Sequence, residues 1–600
     1  MFTQTDLTGT AGFCVLRGRG RRHIHRLKRK THEDTEGQDA HRPDYNSRPE
    51  GAKGLFIRIS TVVKGFDPAF LFIHNTPPMS DKTPPAPFVA PQPLPPEDFE
   101  TCLRILEALN QNPSYLIHIP HEERTRLMKA AGRVAHPTID DHRKVSRAAR
   151  KFKQQQRQKH DQEVRRSTEI RKARQVPVFQ APKQLTGPEQ LGLEFKIPKG
   201  CYVCKTDFTR AHFFYDSMCV DCGTLNYQKR FQTAPLDGRT ALVTGGRVKI
   251  GYHTALKLLR AGARTIVTTR FPQDSALRFS REEDFNVWKH RLQIHGLDLR
   301  HSPSVEMFAL YLLNHEERLD FIINNAAQTV RKPPGFYRHL MDWETQPVTN
   351  LPVELQSLLT SHEACKRSLD TVFLPTPGER VENTVLKTWP GKNPAIGIRA
   401  SAQLSMIPYE VDEESRMGVS EIFPEGKLDA DLQQVDLRSI NTWRLALADV
   451  TTSEMLEVHL VNAVAPFILC AKLKPLMLRT HTGDQHIVNA SAMEGKFSRY
   501  TKTDKHPHTN MAKAALNMMT WTSAKDYVKD GIHMNAVDTG WITDEDPAEI
   551  SKAKKDMHDF EPPLDIVDGA ARLVDPIFSG LITGEHVWGK FLKDYKPTDW

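Results

Sequence analysis

No uninterrupted run of about 18 apolar residues occurs anywhere in the 600-residue chain, so a membrane-spanning helix is not expected. Cysteine is scarce: eight in 600 residues do not form the dense framework of a small disulfide-stapled secreted protein. Cys14, Cys102, Cys365 and Cys470 are scattered, as small buried hydrophobes usually are, and carry no assigned role. Most of the chain also lacks an excess of either charge. The net charge is +9, yet between Arg143 and Arg174 thirteen Lys and Arg face only Asp161, Glu163 and Glu169. That stretch alone carries an excess of ten, so everything else is close to neutral. The basic character belongs to one segment and says little about the remainder. With 39% hydrophobic and 26% charged residues, the chain is read as soluble, with two to four domains and polar extensions.

The opening is basic and acid-poor from Arg17 to Lys30, which suits either a mitochondrial transit peptide or a disordered basic arm. Met79-Ser80-Asp81-Lys82, followed by proline-rich sequence, reads like a natural start, so a cytoplasmic location is expected, with mitochondrial as the alternative. Nine prolines between residues 77 and 96 exclude a packed core there, and residues 1–96 are expected to be an extension. Pro95-Pro96-Glu97-Asp98 then marks a helix start, and Phe99, Cys102, Leu103, Leu106 and Leu109 share one helical face. A short helix bearing Leu127 and Met128 is expected after Pro120. Residues 139–173 suit one long basic helix within a helical region at 97–190. Its cations could contact phosphates, or the helix could be solvated and pack on its own domain or on a protein partner. No recognition motif accompanies it, and a nucleic-acid partner is disfavoured.

Cys201-Tyr202-Val203-Cys204 and Cys219-Val220-Asp221-Cys222 are two CxxC pairs fourteen residues apart, within a module at 195–230. Each pair can present two thiolates from a tight turn, and two pairs complete a tetrahedral S₄ site. Gly200 and Gly223 are expected to allow the sharp backbone. Four protein ligands leave no open position, so the expected metal is structural zinc. A redox dithiol would need only one pair.

From residue 240 the pattern becomes strand, turn, helix, repeated. Thr240 to Val243 is a short apolar strand, followed by Thr244-Gly245-Gly246-Arg247-Val248-Lys249-Ile250-Gly251 and a helix through Ala255, Leu256, Leu258 and Leu259. A glycine turn between strand and helix lets the backbone approach a pyrophosphate at the helix N-terminus.

The segment Leu236-Asp237-Gly238-Arg239-Thr240-Ala241-Leu242-Val243-Thr244-Gly245-Gly246 resembles the opening of short-chain dehydrogenases/reductases. The resemblance continues in order. Ile266 to Arg270 looks like the second strand, Asp298 like the adenine-contacting aspartate, and Asn324-Asn325-Ala326-Ala327 like the Asn-Asn-Ala-Gly strand end. Asn462 matches the helical asparagine, His486 to Ser491 the fifth strand, and Ala512-Lys513-Ala514 the catalytic-lysine helix. Thr539-Gly540 stands at the Pro-Gly turn, and residues 582–584 resemble the last strand. The resemblance covers about 236 to 590 and implies an α/β Rossmann-type doubly wound parallel sheet. It further implies cofactor contacts from Thr244, Gly245, Arg247, Lys249, Ile250, Gly251, Arg270, Asp298, Asn324, Ala326, Lys513, Thr539 and Gly540. Arg270, with Arg247 and Lys249, favours NADP over NAD, because cations there suit a 2′-phosphate where NAD enzymes usually place an acid.

The pattern breaks at the chemistry. The family combines a serine, a tyrosine and a lysine four residues later, backed by asparagine. Lys513 and Asn462 are present, but Thr509 occupies the tyrosine position, and an aliphatic hydroxyl is a far weaker acid than a phenol. Ala492 aligns with the serine, leaving Ser491 one residue early, and Lys249 replaces the middle glycine. Tyr500, His506 or His508 could supply the proton instead. The leading expectation is an NADP-dependent oxidoreductase acting on a carbonyl or alcohol, with Lys513, Asn462, Ser491 and Thr509 as site residues. The alternative is a catalytically degenerate NADP-binding regulatory or scaffold protein, with the zinc module or the basic helix serving a protein partner. A small-molecule substrate and a homo-oligomer are expected. An insertion at 331–450, with helices near 353–369 and 437–447, is read as a lid or an oligomer contact.

Overall fold

Short, fully apolar strands punctuated by glycine turns pair side by side when helices cover both faces. The computed structural model describes residues 95–185, 192–373, 394–408, 418–499 and 502–600. The expected extension lies almost wholly outside them, as do Tyr500 and residues 374–393 and 409–417 of the insertion.

The eight-stranded sheet runs β10-β9-β8-β7-β6-β3-β4-β5. Its strands are β3 Thr240–Thr244, β4 Arg264–Thr269, β5 Leu292–Gly296, β6 Phe321–Asn324, β7 Gln485–Ser491, β8 Ile532–Asp538, β9 Phe591–Lys593 and β10 Lys596–Thr598. All neighbours are parallel except β10 on β9. Alternate residues build two cores: Ala241, Val243 and Val267 face helices Lys249–Arg260 and Ile566–Thr583, while Leu242, Ile266 and Ile322 face Ser302–His315 and Ala465–Met477. Strand order reverses between β3 and β6, the switch point at which such sheets bind ligands. Residues Thr452–Met477 are long and apolar enough to cross a membrane by length and composition alone, but 56% of the 18-residue apolar window within them is buried in the domain.

A two-stranded hairpin, β1 Glu194–Gly200 and β2 Asp207–Arg210, precedes helix Val220–Phe231 and forms the cysteine module. Upstream, helices Pro96–Gln111 and His121–Ala135 bury no residue. The basic helix is anchored near its end, where the Asp161 carboxylate accepts from Lys196 N (2.6 Å) and Ile197 N (3.2 Å).

Three expectations are corrected. The basic helix stops at Arg166 and resumes as Glu169–Ala173, because Glu169 N and Ile170 N donate to Phe213 and Phe214 carbonyls of the cysteine module, at 3.1 and 3.0 Å. Residues 582–584 are not a strand: they end helix Ile566–Thr583, with Gly584 at φ +75° as its C-cap, and β9 takes the strand position. Residues 437–447 form no α-helix, because the Asn441 side chain accepts from Trp443 N (3.2 Å) and donates to Glu545 O (2.6 Å), leaving a single 3₁₀ turn. Helix Val353–Phe373 does form within the insertion.

Candidate functional site

The turn after β3 is shaped by close backbone approach. Gly245 adopts φ +69°, and a Cβ there would stand 2.9 Å from the Ala326 Cα. Asn325 Nδ2 donates to Thr244 O (3.0 Å) and Gly245 O (3.2 Å), and Ala326 N donates to Thr244 Oγ1 (3.1 Å). These bonds tie the glycine loop to the end of β6. Lys249, which replaces a glycine, holds φ +54°, a left-handed conformation that costs a lysine about 1 kcal/mol or more.

A cavity of about 560 Å³ opens above this loop. Gly245, Arg247, Lys249, Ile250, Gly251, Arg270, Asp298 and Ala326 all line it. The insertion contributes to the same wall through Lys332, Phe336, Tyr337 and Gln433 to Asp436, and the turn after β8 through Ile542 to Asp546. The lining runs from Asp298, after β5, to Ile542, after β8.

The cations differ in what they have free to offer. Arg247 is bound to Asp274 at 2.6 Å, and burial lowers its pKa despite that partner. Arg270 donates to two neutral hydroxyls, Tyr337 (2.7 Å) and Ser405 (3.1 Å). Burial disfavours the charge on Lys249, but Glu545, Asp431 and Asp429 outweigh it and raise its pKa. Asp298 is gripped by Arg300 at 2.7 to 3.1 Å, which holds its carboxyl below the ordinary range against burial. Sequence reasoning missed Arg300, although an arginine two residues after Asp298 was a readable signal. Replacing Lys249 with glycine removes a strained residue but leaves the buried Glu545 and Asp431 without its charge, so stability is expected to fall in a denaturant titration and dinucleotide binding to weaken. A tighter complex would remove Lys249 from any phosphate-binding role.

The remaining expected residues turn inward. Lys513 Nζ donates to Ala490 O at 2.6 Å, and burial pulls its pKa down to about 8 against Glu494 and Asp538. Ser491 Oγ donates to Asn517 Oδ1 at 2.5 Å. Thr509 Oγ1 donates to His506 O (2.8 Å) and lies 3.0 Å from His506 Nδ1. Asn462 sits in a π-helical turn, Leu460–Val464, where its amide exchanges bonds with Gln328 N (2.7 Å) and Gln328 O (3.0 Å). Asn324 Nδ2 donates to Asn489 Oδ1 (2.8 Å), linking β6 to β7. The cavity is not lined by Lys513, Asn462, Ser491, Thr509, Asn324, Thr244, Thr539 or Gly540.

Two of the alternative proton donors, His506 and His508, are among the described residues. At φ +42°, His506 stacks on Trp443 with centroids 3.8 Å apart and planes 4° off parallel. His508 is buried, which lowers its pKa to about 4, and its Nε2 stands 3.9 Å from Glu454 Oε1. Burial pushes Glu454 up to about 7, against hydrogen bonds from Thr442 and the Arg331 N–H. Glu454 escaped sequence reasoning because 54 residues separate it from His508.

The thiol sulfurs of Cys201, Cys204, Cys219 and Cys222 all lie within 4.8 Å of one another. Cys204 and Cys219 sulfurs are 3.8 Å apart, the edge expected of a tetrahedron with Zn–S bonds of about 2.3 Å. Cys219 N donates to Cys201 Sγ at 3.3 Å, and Cys219 caps helix Val220–Phe231. The left-handed residue of the first turn is Lys205 at φ +66°, not Gly200. Gly223 serves contact instead: a Cβ there would lie 2.6 Å from the His212 ring.

Comparison with known proteins finds similarity along this region of the chain. A family model described as enoyl-(acyl carrier protein) reductase matches residues 436–565. Uncharacterized protein R665 of Acanthamoeba polyphaga mimivirus is 30% identical over 389 residues, 63% of this chain and 71% of that protein. Human retinol dehydrogenase 13 is 37% identical over 95 residues, which span 16% of this chain and only 28% of the dehydrogenase. A solved Pseudomonas aeruginosa RhlG/NADP active-site complex aligns at 16% identity over 60% of this chain and 95% of that one, with a TM-score of 0.34. The strand order, the glycine loop tied to the Asn-Asn-Ala strand end, the family model and the retinol dehydrogenase match converge: the chain belongs to the short-chain dehydrogenase/reductase family.

Proposed function

We propose that the protein binds NADP(H) in the 560 Å³ cavity and that binding, not tyrosine-dependent proton transfer, is what the domain retains of its oxidoreductase family. The observation that carries this reading is the split between the two halves of the family site. The glycine loop, Arg270 and Asp298 border the cavity, whereas Lys513, Ser491 and Thr509 spend their polar atoms on neighbours inside the fold. The glycine loop would hold the pyrophosphate against the start of helix Lys249–Arg260, and Arg270 would receive a 2′-phosphate. NADPH supplies a hydride when bound to an active enzyme. Here no phenol stands four residues before Lys513 to deliver the accompanying proton. The four cysteines are a structural zinc site in this proposal, their all-sulfur donor set leaving no open position. The role this leaves to the domain is a regulatory or scaffolding one.

A second reading is NADP-dependent conversion of a small carbonyl or alcohol, with the buried Glu454–His508 pair as its acid–base candidate, although neither residue lines the cavity. A carboxyl held near neutrality is poised for acid–base work.

Calorimetric titration of the full chain with NADPH and NADH tests the first reading; no binding of either would sink it. Following NADPH absorbance with a panel of aldehydes and ketones tests the second, which requires turnover that Glu454→Gln removes. Thr509→Tyr alone is expected to create no turnover, since Ala492 offers no serine hydroxyl and the Lys513 ammonium is already bound to Ala490 O. Appearance of NADPH oxidation in that variant would show the machinery to be intact apart from one side chain.

A further inference from the structure

The first cysteine turn carries a residue that serves no metal. Tyr202, between Cys201 and Cys204, reaches from the cysteine module to the turn that follows β8. Trp541 N donates to its hydroxyl at 3.0 Å, and a Cβ at Gly540 would lie 3.3 Å from that oxygen. Lys593, at the end of β9, places its ammonium 5.4 Å from the Tyr202 ring. The residue after Trp541 begins the stretch Ile542 to Asp546 that lines the dinucleotide cavity.

The packing carries the same connection. Cys201, Phe213, Phe214, Tyr215 and Met218 of the module share one apolar cluster with Ile542 and Ile566, and Ile250 of the glycine loop packs against it. Ile250, Ile542 and Ile566 also line the cavity. Tyr215 completes the backing by donating its hydroxyl to Asp568 at 2.6 Å, in the first turn of helix Ile566–Thr583.

We infer that the four-cysteine module is a working part of the dinucleotide site: Tyr202 is a positioning residue for the turn around Gly540 to Thr543, and metal loading sets the affinity for the dinucleotide. This rests on the NADP(H) and zinc readings proposed above. The physical reason is that metal binding is folding energy for such a turn. Four thiolates within 4.8 Å of one another repel unless a cation holds them together. Without one the turn relaxes, Tyr202 withdraws, the Trp541 N–H loses its partner, and a wall of the cavity loosens. A module acting only as a distant staple would stabilise the fold without altering that turn.

The test uses the full chain and NADPH. Tyr202→Phe removes only the hydroxyl and is expected to retain one zinc per chain by elemental analysis, weaken NADPH binding about tenfold, and speed hydrogen exchange across residues 540–545. Chelation of the wild-type protein is expected to move both readings in the same direction. Unchanged affinity and unchanged exchange in zinc-loaded Tyr202→Phe would overturn the inference. If chelation unfolds the domain, that variant alone decides. If the wild type binds no NADPH, the functional proposal fails, and exchange at 540–545 still decides whether Tyr202 holds the turn.

Discussion

Arg230→Met is expected to destabilise the protein by about 3–5 kcal/mol, read as a lower denaturant midpoint. The Arg230 side chain is fully buried and donates to both Asp565 oxygens at 2.6 Å and to Asp568 Oδ1 at 3.0 Å. These aspartates are the capping box of helix Ile566–Thr583: Asp565 Oδ1 accepts from Val567 N and Asp568 N, and Asp568 Oδ2 accepts from Asp565 N. Loss of one helix cap costs about 1 kcal/mol, whereas stranding two buried carboxylates costs several times more, so the charge decides the outcome. Methionine fills much of the same volume, which separates lost charge from lost packing. Adding Asp565→Asn should recover part of the loss, because removing a buried pair together costs less than removing one partner.

Acidity should expose the same logic. Burial disfavours the Asp565 carboxylate, but Arg230 wins and holds its pKa below the ordinary value of about 3.9. Its contribution is therefore present above that value and lost as pH falls through the lower folded one. Asp568 runs the other way: burial and the Asp565 charge raise it, so its contribution fades as pH rises through the folded value. Without Arg230 both carboxyls are raised, and stability should fall as pH climbs from about 4 toward neutrality. A variant whose stability curve parallels the wild type across that window would contradict the assignment.

What the sequence made legible was whatever the backbone itself demands. Gly245 and Gly251 could be read because a strand-to-helix turn at a phosphate tolerates no side chain there, and the four cysteines because ligand type and spacing define a metal turn. Residues 582–584 misled because a β-branched pair before glycine looks like a strand ending, although the same letters end a helix whose glycine is the cap. The state of the charges was illegible. Arg247 and Arg270 both looked like phosphate ligands, but Asp274, 27 residues further along, neutralises the first. The second is held by Tyr337 and Ser405, hydroxyls from an insertion whose path the sequence does not dictate. The Glu454–His508 pair and the reach of Tyr202 to Trp541 were hidden for the same reason: contacts hundreds or tens of residues apart leave no periodic trace.

If the cavity takes NADP(H) as proposed, that difference between the arginines makes Arg270 the residue on which cofactor choice turns. Arg270→Ala is expected to weaken NADPH binding about 100-fold, the upper end for a charged, two-pronged hydrogen bond, while leaving NADH within about twofold. Arg270 follows β4 and lines the cavity; its two hydrogen-bond partners are neutral hydroxyls, the Asp298 carboxylate that feels its charge is gripped by Arg300, and its guanidinium is 4.7 Å from the Tyr337 ring centroid. Those contacts fix the plane of the fork without using up its charge, which is the arrangement a 2′-phosphate needs. Arg270→Lys should recover only part of the preference, since an ammonium retains the charge but not the fork. Salt should weaken wild-type NADPH binding more than NADH binding, and that difference should vanish in the alanine variant. If both dinucleotides lose affinity equally, Arg270 supports the cavity wall through Tyr337 and Ser405 and touches no phosphate. If neither changes, the preference for NADP falls, and the cavity must take its ligand without help from the end of the second strand.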